Sequence, residues 1–481
     1  MKILVLESST SSVKAMVYDT KKQHSEVMTQ KHDQENSGPG IHDAKQIYQS
    51  LLAIGASAAK NHSIDAIALS STWHSLLLCN ADMQPVSPVY LWSNPMAGQL
   101  CQKLSKDKAF ANAYRNQTGC IVNASYPYFK LRVMHEDKES KLLEDYTLRI
   151  MDQGSYLNWK FTGEYMTSES MVSGSGLYNI HQRDYDDQLL QSIGVKKQRF
   201  PRIVKDNTLF PLSFEVAKAL GVEAGVPVMA TNPDGALNQI GAESQEDTAM
   251  TLSVGTSGAL RMSVEEPNTS EAGLWNYRSP RTWLIGTATS GACNCVDWFK
   301  EEFCENRYSY QELEAKIPQE EKTDEGPIFL PFLFGERGPG WNMLRRGGFE
   351  AMHHQHRLGD YYYSILEGVL FNLYQGYEML IRSVGEPKTI QLSGGILNSQ
   401  MWMQMCSDIF GQSMIINDTK DMSMLGAAKW AEKSLLDSDE IDPQEINYES
   451  GKANIIVPNM EHHHQYMVRY NIYLKYYQSH K

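Results

Sequence analysis

The sequence predicts an α/β protein of two domains, built by duplication around a shared cleft. Three observations predict it. A strand-turn-strand pattern occurs twice, about half a chain apart; strands alternate with helical stretches in both halves; and 481 residues exceed what one simple core holds. The pattern reads LVLESSTSSVKAMVYD at 4–19 and MTLSVGTSGALRMSV at 250–264. Each copy joins two apolar, β-branched strands through a turn rich in Ser, Thr and Gly. Such a turn exposes backbone N–H groups and hydroxyls with little side-chain bulk, so a phosphate can approach it. Two equivalent turns imply two domains facing one polyphosphate.

After the first hairpin, residues 44–60 carry helical spacing and 64–70 read as a short strand. A turn-rich α/β segment follows, with helical patterning at 130–136 and 154–160. Strand VPVMATN (226–232) leads into Pro233-Asp234-Gly235 and a helix-like ALNQIGA, which marks the boundary between domains 1–240 and 241–481. The second half repeats the order: hairpin, strand WLIGTAT (283–289) and a helix through Trp298. A long helix over 360–381 is apolar on several faces and therefore expected to be largely buried. Strand 389–395, helix 401–410 and strand 414–417 precede 424–432, the last conspicuous helix. No low-complexity linker separates the halves, so they should touch throughout.

Apolar content of 42% and charged content of 21% describe an ordinary globular chain. A net charge of −13 argues against nucleic acid or an anionic membrane as partner, while leaving room for a small anionic substrate in a locally basic pocket. No apolar run reaches a membrane span, and MKILVLESST is too short and too early in charge for a signal peptide, so a cytoplasmic location is expected. Seven dispersed cysteines, an odd number, read as reduced thiols. Cys293-Asn294-Cys295 lacks the second ligand pair of a zinc site, and His462-His463-His464 reads as a solvated surface cluster.

Asp234 is the sharpest candidate for chemistry. It follows a buried-type strand at the domain junction, where a carboxylate could take a proton from a hydroxyl attacking phosphorus. The same position equally suits an ordinary helix N-cap. Gly394-Gly395, after strand TIQLS, would let a flat ligand approach the strand end, although a Ser-Gly-Gly turn alone is a weak signal. Neither G-x-G-x-x-G nor G-x-x-x-x-G-K-[ST] occurs, so nucleotide binding must rest on the hairpins.

Nine segments in order resemble the FGGY family of carbohydrate kinases: LVLESSTSSVKAMVYD, SSTWHSLLLCN, FTGEYMTSES, NPDGALNQIGA, LSVGTSGALRM, FLPFLFGERGPGWN, ILEGVLFNLY, IQLSGGILNSQMWMQMCSDIFG and MLGAAKWA. The resemblance implies two duplicated actin/hexokinase-like (ribonuclease H-like) domains with a cleft between them, the first for sugar and catalytic base, the second for ATP. It implies Asp234 as the base and Glu7 as the acidic residue near Mg2+ and the phosphates. Thr10, Ser11 and Lys14 would belong to the first phosphate hairpin, and Gly255, Thr256 and Ser257 to the second. Gly394 and Gly395 resemble the adenosine turn, while Trp73, His74 and Asn94 fall where the family contacts its sugar. The implied reaction moves the γ-phosphate of ATP to a hydroxyl of a small-molecule sugar or sugar acid, and a homodimer is a possible assembly. His74-Ser75-Leu76, GTSGALR and GERGPGWN resemble gluconate kinases most, with xylulose kinases as the alternative.

Several positions, in four motifs, depart from the family pattern, and they cluster at the expected site. Asp-x-Gly-Thr reads Glu7-Ser8-Ser9-Thr10, and W-x-D-x-R reads Trp92-Ser93-Asn94-Pro95-Met96, losing a carboxylate and a guanidinium. A Gly-Gly pair reads Ala292-Cys293, and a Thr-Asp step reads Thr167-Ser168. With Met96 in place of arginine, Arg261, Lys130 and His74 remain as partners for a sugar acid. The competing reading is a weakly catalytic nucleotide- or sugar-binding relative acting as a sensor. A chaperone-type ATPase fits poorly with Gly335-Glu336-Arg337.

Overall fold

A computed structural model describes residues 1–22, 24–32, 40–137, 142–242, 248–318, 326–419, 421–436 and 454–479. The first half opens with an antiparallel meander of β1 (Lys2–Ser8), β2 (Ser12–Asp19) and β3 (His24–Lys31), then α1 (Ala44–Ala59) and β4 (Ala66–Ser71). Helices α2 (Gly98–Lys106), α3 (Lys108–Thr118), α4 (Pro127–Glu136) and α5 (Gln153–Thr162) follow, then β5 (Leu209–Pro211), β6 (Pro227–Pro233) and α6 (Asp234–Gly241). The second half carries β7 (Ala249–Val254), β8 (Gly258–Val264), β9 (Trp275–Arg278), β10 (Trp283–Thr289), α7 (Cys293–Trp298), α8 (Leu358–Val384), β11 (Thr389–Ser393), α9 (Gln400–Phe410), β12 (Met414–Ile416), α10 (Met422–Leu436), β13 (Ile455–Ile456) and α11 (Met460–Ser479).

The strands make two large sheets, ordered β5-β6-β4-β1-β2-β3 and β9-β10-β8-β7-β11-β12-β13. Within them, β3-β2-β1-β4-β6 and β10-β8-β7-β11-β12 share one plan, an antiparallel trio followed by two parallel strands. The duplication visible in the hairpins is therefore a duplication of whole sheets.

Strand β1 is apolar without alternation because both of its faces are covered. Leu4 and Leu6 pack on Ile47 and Leu51 of α1, while Ile3 and Val5 pack on Met424 and Ala427 of α10. Helix α10 thus returns from the second half to the first sheet, crossing α6 at very close range. A Cβ added at Gly426 would lie 1.9 Å from the Leu237 carbonyl oxygen, and one at Gly241 would lie 1.9 Å from that of Met422. Only glycine at both positions lets the two backbones meet. The halves also share an aromatic core, in which Trp275 and Tyr277 of β9 pack among Trp73, Tyr114 and Tyr126.

Helix α8 is buried on most of its circumference, as its all-round apolar pattern requires. Its buried Glu367 receives two bonds from Arg469 of α11, at 2.7 and 2.6 Å. Several elements exceed the expectations. β3 is a polar edge strand with Val27 and Met28 exposed, so it lacks alternation. α2 buries only Cys101. The last helix is α11 rather than 424–432; its tyrosines and histidines obscure helical periodicity, yet Tyr470, Tyr473 and Tyr477 are buried. The histidine run is correspondingly more than a solvated cluster. His462 pairs with buried Asp408 at 3.1 Å, and His463 bonds the Asp408 carbonyl at 2.9 Å, docking α11 on α9. All seven cysteines are free thiols.

Candidate active site

Trp73, Arg261 and Glu7 come together around the start of α6, where the first sheet ends. The N-cap of α6 is Pro233, which offers no capping side chain, so Asp234 is not the cap that its position allowed. Its Oδ1 accepts from the adjacent Gly235 N–H, at 2.7 Å, and the Trp73 backbone also donates to the carboxyl. Burial, reinforced by the Glu7 charge, pushes the Asp234 carboxyl up to about 6, against the Gly235 N–H and the Arg261 guanidinium, which pull it down. Asp234 therefore lies electrostatically between the first hairpin and the strand that leaves the second. A base of this strength is ionised at neutral pH and still binds a proton well.

Glu7 ends β1 almost fully buried. Its Oε2 accepts from Ser70 of β4 at 3.0 Å and from Ser423 of α10. Its Oε1 lies 3.6 Å from Lys14 Nζ, which also bonds Asp421 at 2.6 Å. Although burial opposes it, the Asp421 and Glu7 carboxylates hold Lys14 above its ordinary range. Residues 421 and 423, at the start of α10, thus close over the first hairpin from the other half. Ser9, which stands where the resembled pattern has glycine, turns its hydroxyl back onto the Ser12 carbonyl at 2.9 Å.

Gly255, Thr256 and Ser257 form the second turn, against the start of α7. A Cβ on Gly394 would lie 2.5 Å from the Val254 carbonyl oxygen, and one on Gly395 would lie 2.8 Å from Cys293 Sγ. The second hairpin, Cys293 and the Gly-Gly turn therefore form one surface. Burial pushes the Cys293 thiol up to about 12, so it stays protonated.

On the sugar side, Trp73 donates to the Ser170 carbonyl at 3.0 Å and stacks on His74, with ring centroids 5.5 Å apart. His74 Nδ1 donates to the Gly174 carbonyl at 2.6 Å, which leaves Nε2 as an acceptor. Burial above all pushes His74 down to about 3, so the ring is neutral. Tyr277 touches both rings and bonds Tyr126, 2.5 Å between hydroxyls. Two arginines join this cluster. Arg261 of β8 lies 3.9 Å from the position of a Cβ on Gly235, and Arg337 lies over the Trp92 and Trp341 rings at 5.4 and 5.8 Å. Neither guanidinium makes an ion pair with a described residue. Lys130, by contrast, spends its ammonium on the carbonyls of Ala124 and Ser125, at 2.9 and 2.6 Å, and burial pushes it down to about 7. Asn94 is buried, and its Oδ1 accepts from the Met96 N–H at 3.2 Å within its own turn.

This arrangement can bind an anion, accept a proton and hold phosphate. The models of the FGGY family of carbohydrate kinases match twice, the N-terminal domain over residues 2–241 and the C-terminal domain over 250–434. The chain belongs to the FGGY family of carbohydrate kinases. It is a sugar phosphotransferase with the two-domain actin/hexokinase-like fold. It is 27% identical over 411 residues to the gluconokinase of Bacillus subtilis (strain 168), covering 81% of this chain and 79% of that one. It is 26% identical over 450 residues to the xylulose kinase of Escherichia coli (strain K12), covering 90% and 91%. The crystal structure of gluconate kinase from Lactobacillus acidophilus superposes with a TM-score of 0.91 at 25% identity, covering 99% and 98%.

Sequence reasoning missed Tyr126, Tyr277, Asp421 and Ser423. Each lies far along the chain from the residue it serves and carries no local signature.

Proposed function

We propose that this kinase phosphorylates a sugar acid, most simply gluconate, from Mg2+-ATP. The observation that carries the reading is the Arg261 guanidinium, close enough to Asp234 to act on its charge but in no contact ion pair, with Arg337 in the same aromatic cluster. Arg261 feels only the nearby Asp234 carboxylate and Arg337 faces none, so two desolvated cations fit an anionic substrate, and a guanidinium matches a carboxylate in shape and charge. Their presence offsets the loss of arginine at Met96. The names of the Bacillus subtilis and Lactobacillus acidophilus relatives support the same class. D-xylulose is the second reading, supported by the long match to the Escherichia coli xylulose kinase.

In this reading, residues 1–240 carry the sugar site and the base, and 241–481 carry most of the nucleotide site. Trp73 walls the sugar pocket, His74 Nε2 accepts from a sugar hydroxyl, and Asn94 lines its rim. Asp234 takes the proton of the attacking hydroxyl as its oxygen bonds the γ-phosphorus and ADP leaves with the electrons of the broken P–O bond. Thr10, Ser11 and Lys14, with Gly255, Thr256 and Ser257, hold the phosphates, and Gly394-Gly395 receives the adenosine. Glu7 is the protein ligand best placed for Mg2+: it supplies a hard oxygen, and no group of three metal-ligating side chains occurs among the described residues, which fits an ion held mainly by phosphates and water. Bound there, the ion would neutralise charge on the transferring group. No described helix is long and apolar enough to cross a membrane; we place the enzyme in the cytoplasm.

Arg261→Gln tests the substrate class. The variant should lose about 10–100-fold more in kcat/KM for gluconate than for D-xylulose, as expected for one charge-assisted bond, with a smaller loss common to both because Asp234 is no longer held down by the guanidinium. An equal loss for both would remove the carboxylate role.

A further inference from the structure

Two histidines outside every motif above brace the first phosphate hairpin. His32, just beyond β3, places Nε2 2.9 Å from the Ser9 carbonyl oxygen, and His42, just before α1, places Nε2 3.1 Å from that of Thr10. A carbonyl only accepts, so each ring carries a proton on Nε2. The ring centroids lie 4.5 Å apart. Burial, then the neighbouring His32, push His42 down to about 4, leaving it neutral. Trp92 adds a third bond, from Nε1 to the Thr10 hydroxyl at 3.1 Å.

The C=O and N–H of a trans peptide point in opposite directions. Holding the Ser9 and Thr10 carbonyls from one side therefore aims the Thr10 and Ser11 N–H groups to the other. Those two amides donate to no described residue.

The second hairpin achieves the same with different parts. The Gly255 carbonyl accepts from the Cys293 N–H at 2.8 Å, and that of Thr256 from the Asn294 N–H at 3.4 Å. The Thr256 and Ser257 amides are again without a partner among the described residues. With Thr10 and Thr256 as equivalent positions, the same two carbonyls are tied down in each half, by imidazoles in one and by backbone amides at the start of α7 in the other. Exposed turn carbonyls are ordinarily satisfied by water, so duplicate bracing needs a reason beyond satisfying them.

We propose that His32 and His42 are positioning residues for phosphoryl transfer, setting the free amides of the first hairpin against the nucleotide phosphates. They would touch no phosphate themselves. The inference rests on the ATP reading above.

The test is calorimetric titration of the full chain with Mg2+-ATP and with adenosine, alongside melting temperatures. His32→Phe and His42→Phe should each weaken ATP binding about tenfold, equivalent to about 1.4 kcal/mol, and leave adenosine binding unchanged. Gln, whose amide nitrogen reaches the Nε2 position, should recover most of the affinity; Asn, which is shorter, should not. Should the Phe variants fail to fold, the Gln-against-Asn contrast decides. ATP affinity unchanged in the Phe variants, equal losses for ATP and adenosine, or Gln variants as weak as Asn would each overturn the proposal. A wild-type protein that binds no ATP would overturn the nucleotide reading and this inference with it.

Discussion

Asp234→Asn should cost turnover and add stability in the same molecule. The carboxyl sits at about 6 against an ordinary 3.8, chiefly through burial. Two pH units correspond to about 3 kcal/mol, and the partial exposure of the residue reduces this to roughly 1–3 kcal/mol. The sign follows from protons bound. Between pH 4 and 6 the folded protein holds a proton that the unfolded chain has released, so stability falls as pH rises, and the full cost is present above pH 6. Asparagine keeps the oxygen that accepts the Gly235 N–H and never ionises. Its advantage over wild type should therefore be small at pH 4 and reach its full size by pH 7, read from paired urea melts. Loss of the base should lower kcat by about 10²–10⁴-fold. Wild-type kcat/KM should likewise fall below pH 6 with unit slope. Normal turnover in the variant, or an asparagine protein less stable than wild type at pH 7, would refute the reasoning.

Three further outcomes follow from the same geometry. Lys14→Met leaves Glu7 and Asp421 without their shared cation and should raise the KM for ATP by about 10–100-fold in steady-state assays. Gly426→Ala drives a Cβ into the Leu237 carbonyl and should destabilise the α6–α10 crossing by on the order of 3 kcal/mol, seen as a lower melting temperature. Asn94→Asp combined with Met96→Arg should raise the use of D-xylulose relative to gluconate; an unchanged preference would mean these side chains do not face the pocket.

The duplicated hairpins and the strand-helix order were legible because β-branched runs and small-residue turns are local signals. Asp234 was legible as a junction residue, but the helix-cap reading could be set aside only once Pro233 proved to occupy that position. Glu7 and Lys14 could be assigned to a hairpin, whereas their partners Ser423 and Asp421 lie about 400 residues away and are joined to them only by the return of α10. The polar edge strand β3 and the tyrosine-rich α11 gave no clean periodicity. His32 and His42 act through their ring nitrogens on backbone carbonyls, a role that leaves no pattern in the sequence. Where the family pattern has glycine, the Ser9 hydroxyl folds back on the Ser12 carbonyl, a local bond that the sequence does not announce.

The most direct test of the central claim is ADP release by the purified protein with Mg2+-ATP across aldonates, ketoses and polyols, with Asp234→Asn beside it. The account predicts strong turnover with a sugar acid, at least a hundredfold weaker in the variant. Silence across the panel while ATP still binds, or turnover that does not depend on Asp234, would contradict it.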